Sequence, residues 1–493
     1  MLNTVISVLF GILVIGVILV IIADDGDSGR KLAWLLIIAL LPVLGLILYF
    51  AFGINYRRHW YFNRQHQRFL DAFKNGSDEN LNRLLFGKED EVKIREEFRP
   101  LSVLIGTSPY PRVSDGNFIE IITEGKRKFD LLIRDLNAAK EYMHLEYFHF
   151  GNDGSSKFIK DILIRKASEG VKVRFVYENI ANFPISSRYY NQMKKAGVEV
   201  LSFTNPRAHL LNLITKINYR DHRKIVVIDG KIGYTGGMNI SDRYFHLWRD
   251  THLRIEGPAV ASLQYVFLDS WITSGGVLDR ALIEYFPLSD FKKVSESINH
   301  PSANIKEKSL YGKLVQILPD EPNGRWPLIQ MSYEWVIDNA KKYIYLQTPY
   351  FVPPESLLNS LKSAALRGVD VRLMMPRKTD NFFMRPVNHS YYEECLEAGV
   401  RIFIRGGNFI HSKTFVSDDY ISSIGTANLD FRSFNINYEV NTYIYDEEAA
   451  LLNKAIFMED MEISNELSLE AWDKRQWTRR IFERVLRLFS PLL

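Results

Sequence analysis

Two long runs of apolar residues open the chain. Val5 to Ile22 carries no charge and is almost entirely aliphatic, and Leu32 to Phe52 is a second uncharged run, interrupted only by Pro42 and Gly45. Each run is long enough to cross about 30 Å of hydrocarbon as a helix. The link from Ala23 to Lys31 is rich in Asp and Gly and suits only a tight turn. The pattern therefore predicts a transmembrane helical hairpin in residues 1–55.

The first run also fits a cleaved signal peptide. That interpretation is disfavoured because no basic residue precedes Val5 and a second apolar run follows at once. Basic residues near the ends of the runs set the orientation of a hairpin. The link holds only Arg30 and Lys31, whereas four arginines follow the second run: Arg57, Arg58, Arg64 and Arg68. We therefore expect both ends of a multi-pass hairpin, and the rest of the chain, on the cytoplasmic side of a cell membrane.

Beyond a connector in residues 56–100, helix-like and strand-like segments alternate. Amphipathic or buried patterns predict helices over Phe129–Lys140, Ser156–Ser168 and Arg188–Ala196, and strands over Tyr142–Phe150, Val171–Tyr177 and Val198–Phe203. Such alternation predicts an α/β fold whose largely parallel sheet is covered by helices.

This region also repeats itself. An H-x-K-x4-D motif at residues 222–229 recurs at residues 411–418, 189 positions later. The register then continues without a gap through three further pairs: Asn239 with Asn428, Arg243 with Arg432, and Asp250 with Glu439. The repeat predicts two diverged copies of one α/β unit, in residues 101–300 and 301–470. We expect their two sheets to face each other in one pseudo-symmetric body.

Each motif brings reactive side chains together. Residues two apart in a strand project to the same face, so His222 points with Lys224, and the same holds for His411 and Lys413 in the second copy. The aspartates that close the motifs stand at turns, so they serve either the chemistry or only the turn; they are Asp229 and Asp418. Two asparagines after Gly-rich or small-residue segments can donate amide hydrogens; they are Asn239 and Asn428.

If the copies pack about a pseudo-twofold axis, these side chains converge on one pocket suited to a phosphodiester. Two ammonium groups and two amides can stabilise the charge that gathers on phosphate oxygens during attack, with no metal required. One imidazole can attack phosphorus while the other protonates the departing alkoxide. Asp250 and Glu439, each 28 residues after the histidine of its own copy, are candidates to fix the imidazole tautomers. Arg243 and Arg432 are either phosphate contacts or structural pairs.

Composition narrows the classes of protein. With 493 residues, 46% hydrophobic and 24% charged, the chain fits two or three folded domains and excludes general disorder or a polytopic transporter. Its single cysteine, Cys395, excludes an intramolecular disulfide and any multi-cysteine metal site. The net charge of +4 is compatible with nucleic acid or with lipid.

The end of the chain, residues 471–493, concentrates positive charge. From Lys474 onward it has six basic residues against one acid, Glu483, and its apolar residues recur at helical spacing. The pattern predicts an amphipathic helix lying on anionic membrane lipid. The alternative is a helix packed on the domain with its basic face in solvent.

The doubled motif resembles that of the phospholipase D superfamily, over roughly residues 100–470. Within it, four features are similar to the bacterial cardiolipin synthases: the N-terminal hairpin, the block 218–230, the stretch Thr348–Pro353 and the ending Leu488–Leu493. Pro354 departs from the resemblance, which leads us to expect an acidic residue there.

The resemblance implies a transphosphatidylation. One phosphatidylglycerol gives a phosphatidyl-histidine enzyme and releases glycerol, and a second attacks through its terminal hydroxyl to yield cardiolipin. No nucleotide, cofactor or metal is implied, and we take His222 as the nucleophile and His411 as the general acid. The alternatives are a membrane-bound phosphodiesterase that uses water, and an inactive scaffold or nucleic-acid-binding protein. Intact His, Lys and Asn residues in both copies disfavour the last. The oligomeric state, and phosphatidylethanolamine as a donor, stay open.

Overall fold

The computed structural model describes residues 2–23, 28–53, 67, 69–71, 93–108, 112–203, 219–287, 308–322, 324–381 and 384–490. Other parts of the sequence predictions lie outside these residues: the arginine-rich flank (Arg57, Arg58, Arg64 and Arg68), residues 24–27 of the link, most of the connector, residue 218 of the motif block, the predicted boundary between the copies at residue 300 and the last three residues of the tail.

Three apolar helices form the N-terminal part: α1 (Leu2–Ala23), α2 (Ser28–Leu40) and α3 (Pro42–Phe52). Among the described helices, α1 is the one that is long and apolar enough to cross a membrane. It packs against the other two through one small apolar cluster, which consists of Val17, Ile21, Trp34, Ile38 and Leu46.

The second apolar run is interrupted, so the prediction of one unbroken span from Leu32 to Phe52 is wrong. Leu41 leaves the helical conformation (φ −136°, ψ 69°) because it precedes Pro42, whose ring disfavours a helical residue before it. The chain then bends sharply. A Cβ atom on Gly45 would lie 2.8 Å from the Cα atom of Ile38, although seven residues of straight helix span about 10 Å. Glycine therefore permits this close approach of α3 to α2.

The first half of the body follows α4 (Arg99–Ile105). Its strands are β1 (Ser114–Ile122), β2 (Tyr142–Tyr147), β3 (Lys172–Tyr177), β4 (Glu199–Ser202), β5 (Lys224–Ile228), β6 (Ile232–Gly236), β7 (Trp248–Arg249) and β8 (His252–Glu256). Its helices are α5 (Gly125–Ala138), α6 (Gly154–Ser168), α7 (Ser187–Lys195), α8 (Arg243–His246) and α9 (Ala259–Thr273). The predicted helices and strands of this half are all present, with ends that differ by a few residues.

The second half repeats this order. Its strands are β9 (Ser309–Asp320), β10 (Tyr343–Gln347), β11 (Phe351–Val352), β12 (Asp370–Pro376), β13 (Arg401–Arg405), β14 (Phe409–Ile410), β15 (Thr414–Ser417), β16 (Ile421–Gly425), β17 (Leu429–Asp430), β18 (Glu439–Tyr445) and β19 (Ser464–Glu466). Its helices are α10 (Leu328–Asn339), α11 (Glu355–Leu366), α12 (Met384–His389), α13 (Tyr392–Glu397), α14 (Phe431–Asn435), α15 (Glu447–Glu462), α16 (Leu469–Asp473) and α17 (Trp477–Arg487).

Fifteen of the described strands form one continuous sheet, which corrects the expectation of two separate sheets. The order is β4, β3, β2, β5, β6, β8, β1, then β9, β18, β16, β15, β10, β12, β13 and β19. Antiparallel pairing of β1 with β9 joins the halves, and on each side of this seam equivalent strands follow in the same order. The α/β class and its two related halves are confirmed.

The sheet is mixed, so the prediction of a largely parallel sheet is also wrong. Within this fifteen-stranded sheet of the described residues, the parallel pairs lie where crossover helices connect the strands, in the series β2, β3, β4 and its equivalent β10, β12, β13. The motif strands are instead followed by tight hairpins, which make antiparallel neighbours. Helix α9 is almost wholly buried and packs against strands on both sides of the seam, in an apolar cluster that includes Tyr265, Ile317 and Ile444.

The hairpin turns account for the two motif aspartates. Asp229 and Asp418 each adopt a left-handed conformation with φ of 50°. The Asp229 carboxylate accepts three backbone N–H bonds, of 2.8 to 2.9 Å, from the residues that begin β2. Asp418 does the same for the residues that begin β10, at 2.7 to 3.0 Å. These contacts support the turn alternative for both aspartates, because they tie each motif hairpin to a neighbouring strand; a role in the chemistry stays a prediction.

Asp229→Ala is expected to lower the free energy of unfolding by about 2 kcal/mol, because three charge-assisted hydrogen bonds are lost. Asp229→Asn keeps an acceptor oxygen and tolerates the left-handed turn, so it is expected to lose less. Urea unfolding of the detergent-solubilised chain measures both variants. Activity per folded molecule is expected to stay near that of the wild type; a loss of activity without a loss of stability would contradict the turn role.

Candidate active site

A cavity of about 680 Å³ lies between the two halves and takes its walls from both. It is lined by six of the residues predicted from the repeat: His222, Asn239 and Arg243 of the first half, and His411, Asn428 and Arg432 of the second. The structure thus brings the two motifs together about one space, as the pseudo-twofold packing requires.

Short backbone contacts between the halves position both histidines. The N–H of His222 donates to the carbonyl of Tyr438 at 2.9 Å, and the N–H of Tyr438 donates to the carbonyl of Arg220 at 2.8 Å. In the equivalent place the N–H of His411 donates to the carbonyl of Arg249 at 2.7 Å, next to the parallel pairing of β7 with β14. Each histidine is therefore held against the segment that precedes the other half's carboxylate.

The two carboxylates predicted to orient the imidazoles do contact them, but they are exchanged between the halves. His222 Nδ1 lies 2.9 Å from both carboxylate oxygens of Glu439, and His411 Nδ1 lies 2.7 Å from Oδ2 of Asp250. The repeat named these two acids without assigning either to a particular histidine, and the structure pairs each acid with the histidine of the other copy. The cause is the backbone pairing just described, which lays each acid beside the opposite motif.

Burial keeps both imidazoles neutral near pH 7. Desolvation lowers the pKa of His222 to about 4, against the opposing effect of Glu439. The pKa of His411 is also lowered to about 4, by desolvation and the nearby Lys413 charge. A neutral imidazole that donates its Nδ1 hydrogen to a carboxylate carries a lone pair on Nε2. The site is thus prepared with two histidines of the tautomer that nucleophilic and acid–base chemistry needs.

The two motif lysines are buried beneath the histidines. Lys224 Nζ donates to the carbonyl of His222 at 2.7 Å, and Lys413 Nζ donates to the carbonyl of His411. Burial lowers the pKa of Lys224 to about 7 and that of Lys413 to about 8. Where little water screens the charge, an ammonium group attracts an anionic ligand strongly.

Both acids stay ionised in this surrounding. Burial alone raises the pKa of a carboxyl group, yet that of Asp250 is lowered because Lys413 and His411 lie beside it. The pKa of Glu439 is lowered in the same way by His222 and Lys224, in spite of burial.

The asparagines are placed less symmetrically than the repeat predicts. The side-chain amide of Asn239 donates to Tyr244 Oη at 3.0 Å, and its oxygen accepts from the N–H of His149 at 3.0 Å. Within the described part of the chain, the buried Oδ1 atoms of Asn428 and Asn437 have no hydrogen-bond partner. Asn437, which also donates to Glu439 at 3.1 Å, was not predicted.

Aromatic rings also flank the histidines, and sequence reasoning missed them. The ring centroid of Phe148 lies 4.8 Å from that of His222, and the ring of Trp248 lies 4.7 Å from that of His411. Arg243, whose role was open, stacks its guanidinium 4.9 Å from the Trp248 ring and lines the cavity. Only the position of these aromatic residues, next to β2 and just before Asp250, could have suggested them, because rings are equally common in cores.

Acidic and polar groups cover another part of the wall. Tyr350 donates its hydroxyl hydrogen to Asp380, and Asn381 lines the cavity beside them. Carboxylate and amide oxygens accept hydrogen bonds from hydroxyl groups. The cavity lining thus combines cationic side chains, Arg220, Arg243 and Arg432, with hydrogen-bond acceptors at Asp380 and Asn381. Across the described ranges, no cluster of three or more His, Cys, Asp or Glu side chains is arranged to hold a metal ion.

Comparison with known proteins gives consistent matches. The family described as "Cardiolipin synthase, PLD-like domain" matches residues 132–271 and 334–461, and "Phospholipase_D-nuclease N-terminal" matches residues 12–53. Cardiolipin synthase 2 of Bacillus anthracis is 37% identical over 96% of this chain and 89% of its own length. The major cardiolipin synthase ClsA of Bacillus subtilis is 35% identical over 99% and 98%. A phosphatidylserine synthase structure from Haemophilus influenzae shares the fold, with a TM-score of 0.56 at 15% identity, covering 76% of this chain and 95% of that one.

Removing either exchanged carboxylate is expected to disable the enzyme without unfolding it. Glu439→Gln and Asp250→Asn can no longer hold the required tautomer, so kcat is expected to fall by about a hundredfold to ten-thousandfold while KM changes little. Steady-state kinetics and thermal unfolding of each variant measure this. Glu178→Gln, another buried glutamate that does not contact either histidine, is the matched control. A rise in KM with an unchanged kcat would contradict the orienting role, because it would show that the carboxylate acts only in substrate binding.

The lysines are expected to set the alkaline limit of activity. Because the pKa values of Lys224 and Lys413 are lowered to about 7 and about 8, kcat/KM is expected to fall as pH rises through that range, when the ammonium groups lose their charge. A bound phosphate anion raises both pKa values, so kcat should fall only at higher pH. Profiles of both constants at fixed ionic strength test this. In the double variant Lys224→Arg/Lys413→Arg both side chains stay charged, so the remaining activity should show no alkaline limb; a limb that stays in place contradicts the assignment.

Proposed function

The chain belongs to the bacterial cardiolipin synthases of the phospholipase D superfamily and is a phosphatidyltransferase; we propose that it joins two phosphatidylglycerol molecules through a phosphatidyl-histidine. The observation that carries the mechanism is the exchanged pairing: two neutral histidines line one cavity, each held by a carboxylate of the other half. A nucleophile and an acid–base catalyst are thereby presented to one substrate.

In the first step, Nε2 of His222 attacks phosphorus of the donor lipid. A P–N bond forms, the P–O bond to the headgroup glycerol breaks, and His411 donates the proton that glycerol carries away. His411 is neutral in the empty cavity, but the phosphodiester anion and Asp250 both favour its protonated form. Glu439, which contacts His222 through both oxygens, stabilises the positive charge that the phosphorylated imidazole acquires.

In the second step, neutral His411 takes the proton from the terminal hydroxyl of a second phosphatidylglycerol. The freed oxygen attacks phosphorus, the P–N bond breaks, and cardiolipin leaves with His222 restored. Lys224 and Lys413 act in both steps, because they balance the charge on the phosphate oxygens. Asp380 and Asn381 are placed to accept hydrogen bonds from the glycerol hydroxyls.

The hydrolytic alternative is not favoured. It requires the same phosphatidyl-histidine but water in the second step, and the two Bacillus relatives described above are named as synthases. The supporting residues follow from the same geometry: Arg243 and Arg432 line the cavity and are proposed to contact phosphate oxygens, together with Asn239 and Asn428.

The N-terminal helices associate the chain with the membrane. The apolar α1 has the length of a span, and the matched N-terminal family extends through α3. We place α1 and the bent α2–α3 pair in the bilayer as a multi-pass anchor with the catalytic body in the cytoplasm. The arginines that follow the second run support this orientation.

The proposed reaction is tested with purified chain reconstituted in phosphatidylglycerol vesicles. Equal amounts of cardiolipin and glycerol are expected from the wild type, since each transfer releases one headgroup. Phosphatidic acid as the main product would favour hydrolysis instead. His222→Ala and His411→Ala are both expected to lose turnover.

The roles of the two histidines are distinguished with a phospholipid that carries a nitrophenyl leaving group. This group departs without needing a proton. His411→Ala should still form the phosphohistidine and accumulate it, because the base for the second step is missing, whereas His222→Ala should form none. Mass spectrometry of the quenched protein locates the modified residue. The reverse pattern would exchange the two roles.

A further inference from the structure

The C-terminal helix α17 has two opposite faces. In a helical projection its basic residues gather on one side, and its apolar residues gather on the other. The apolar set, which continues into the residues just after the helix, consists of Trp477, Ile481, Phe482, Val485, Leu488 and Phe489. A soluble protein normally turns the apolar side of such a helix inward.

Here the basic side faces the body. Glu483, only 2% exposed, accepts hydrogen bonds from Arg475 at 2.9 Å, from Arg479 at 3.1 Å and from His389 at 3.2 Å. The helix is thus fixed to α12 through a buried carboxylate with three partners.

Two glutamates of α13 extend this attachment. Arg480 and Arg484 pair with Glu393, and Arg487 pairs with Glu394 at 2.6 Å while its guanidinium lies 4.1 Å from the Tyr391 ring. The helix therefore packs on the domain, with Arg480 and Arg487 against acids of the body. The side chains of Arg479 and Arg484 are 48% and 65% exposed, so contact of basic residues with anionic lipid stays a prediction.

The apolar side is left outward. Exposed fractions are 71% for Trp477, 51% for Ile481, 53% for Phe482, 47% for Val485 and 70% for Leu488. Neighbouring large apolar side chains at this density are rare on a surface in contact only with water.

This face continues to the mouth of the catalytic cavity. Ser490, which follows Phe489, lines the cavity and bonds its hydroxyl to that of Tyr391 at 2.8 Å. Two further exposed apolar residues adjoin the lining from the first half: Phe183 (84%), two residues after Ala181, and Leu247 (63%), next to Trp248. Apolar side chains thus adjoin the cavity from both halves.

We propose that the apolar face of α17, with Phe183 and Leu247, inserts into the interfacial layer of the bilayer and seats the cavity mouth on it. This inference rests on the proposed function. The occupant is a bilayer because the face is continuous with the cavity that must admit the phosphate of a lipid. A Trp, Phe, Leu, Ile and Val composition also suits the boundary between headgroups and acyl chains. A phosphate can then enter the cavity while its acyl chains stay in the membrane.

Insertion is measured on the full chain in nanodiscs. In a Cys395→Ser background, Val485→Cys carries an environment-sensitive fluorophore, and Asp161→Cys, an exposed polar position of α6, is the matched control. The label at 485 is expected to report an apolar surrounding and to be quenched by lipids with a quencher near the headgroup; the label at 161 is not. A water-like signal at 485 overturns the proposal. A label shielded from both water and lipid quencher also overturns it, because a second copy then covers the face.

Activity gives an independent measurement. Ile481→Glu with Val485→Glu is expected to lower turnover of bilayer phosphatidylglycerol by about tenfold or more, since two charges must enter the interface. Turnover of a short-chain phosphatidylglycerol below its micelle concentration should be unchanged, which also shows that the variant is folded. Leu366→Glu, at an apolar residue that is still more exposed (73%) and lies at the end of α11, is the control and should behave as wild type.

The two proposals fail differently. If the wild type makes no cardiolipin from either substrate, the proposed function is wrong. If the wild type is active and the double variant matches it on bilayers, the insertion of α17 is wrong while the function stands.

Discussion

The catalytic cavity depends on one kind of contact, the hydrogen bond between a buried imidazole and a carboxylate from the opposite half. An isolated carboxylate in this position would be costly, because charges lose their hydration when buried. His222 and Lys224 offset that cost for Glu439, and His411 and Lys413 do so for Asp250. The same contacts fix the tautomers, hold the cavity walls together and couple the two halves. Catalysis and the packing of the halves therefore rest on the same atoms.

The sequence allowed most of the site to be predicted, because the repeat is in register. Once His222 and His411 are aligned, the alignment gives Asp250 and Glu439 without any knowledge of the fold. It could not give the exchange between them. Register compares equivalent positions, whereas the pairing of Tyr438 with Arg220 and of Arg249 with His411 is a property of packing. Phe148 and Trp248 were missed because an aromatic residue beside a strand has the same local pattern in a core and in a cavity.

The hydrophobic periodicity of the sequence predicted where helices and strands lie, but not how the strands are arranged in the sheet. Periodicity located the helices and strands of the first half, but it carries no information about strand direction, so the antiparallel pairings of β5 with β2 and of β15 with β10 were missed. Pro42 was noticed and its effect underestimated; one missing N–H and one ring divide an apolar run that composition alone makes continuous. The sequence of α17 showed one basic face and one apolar face, but not which of them turns toward the body. That depends on the acids Glu393, Glu394 and Glu483, of which the first two lie some ninety residues earlier in the chain.

In the mechanism proposed above, the exchange of carboxylates also sets the order in which the protein becomes active as it is made. Chains are synthesised from the N-terminus, and domains tend to fold in that order. The N-terminal helices and the first half all precede Glu439, and His222 precedes it by 217 residues. Until that glutamate is in place, His222 lacks its orienting group, and His411 has not yet met Asp250. An incomplete chain at the membrane therefore holds no assembled site with which to cleave the surrounding lipid.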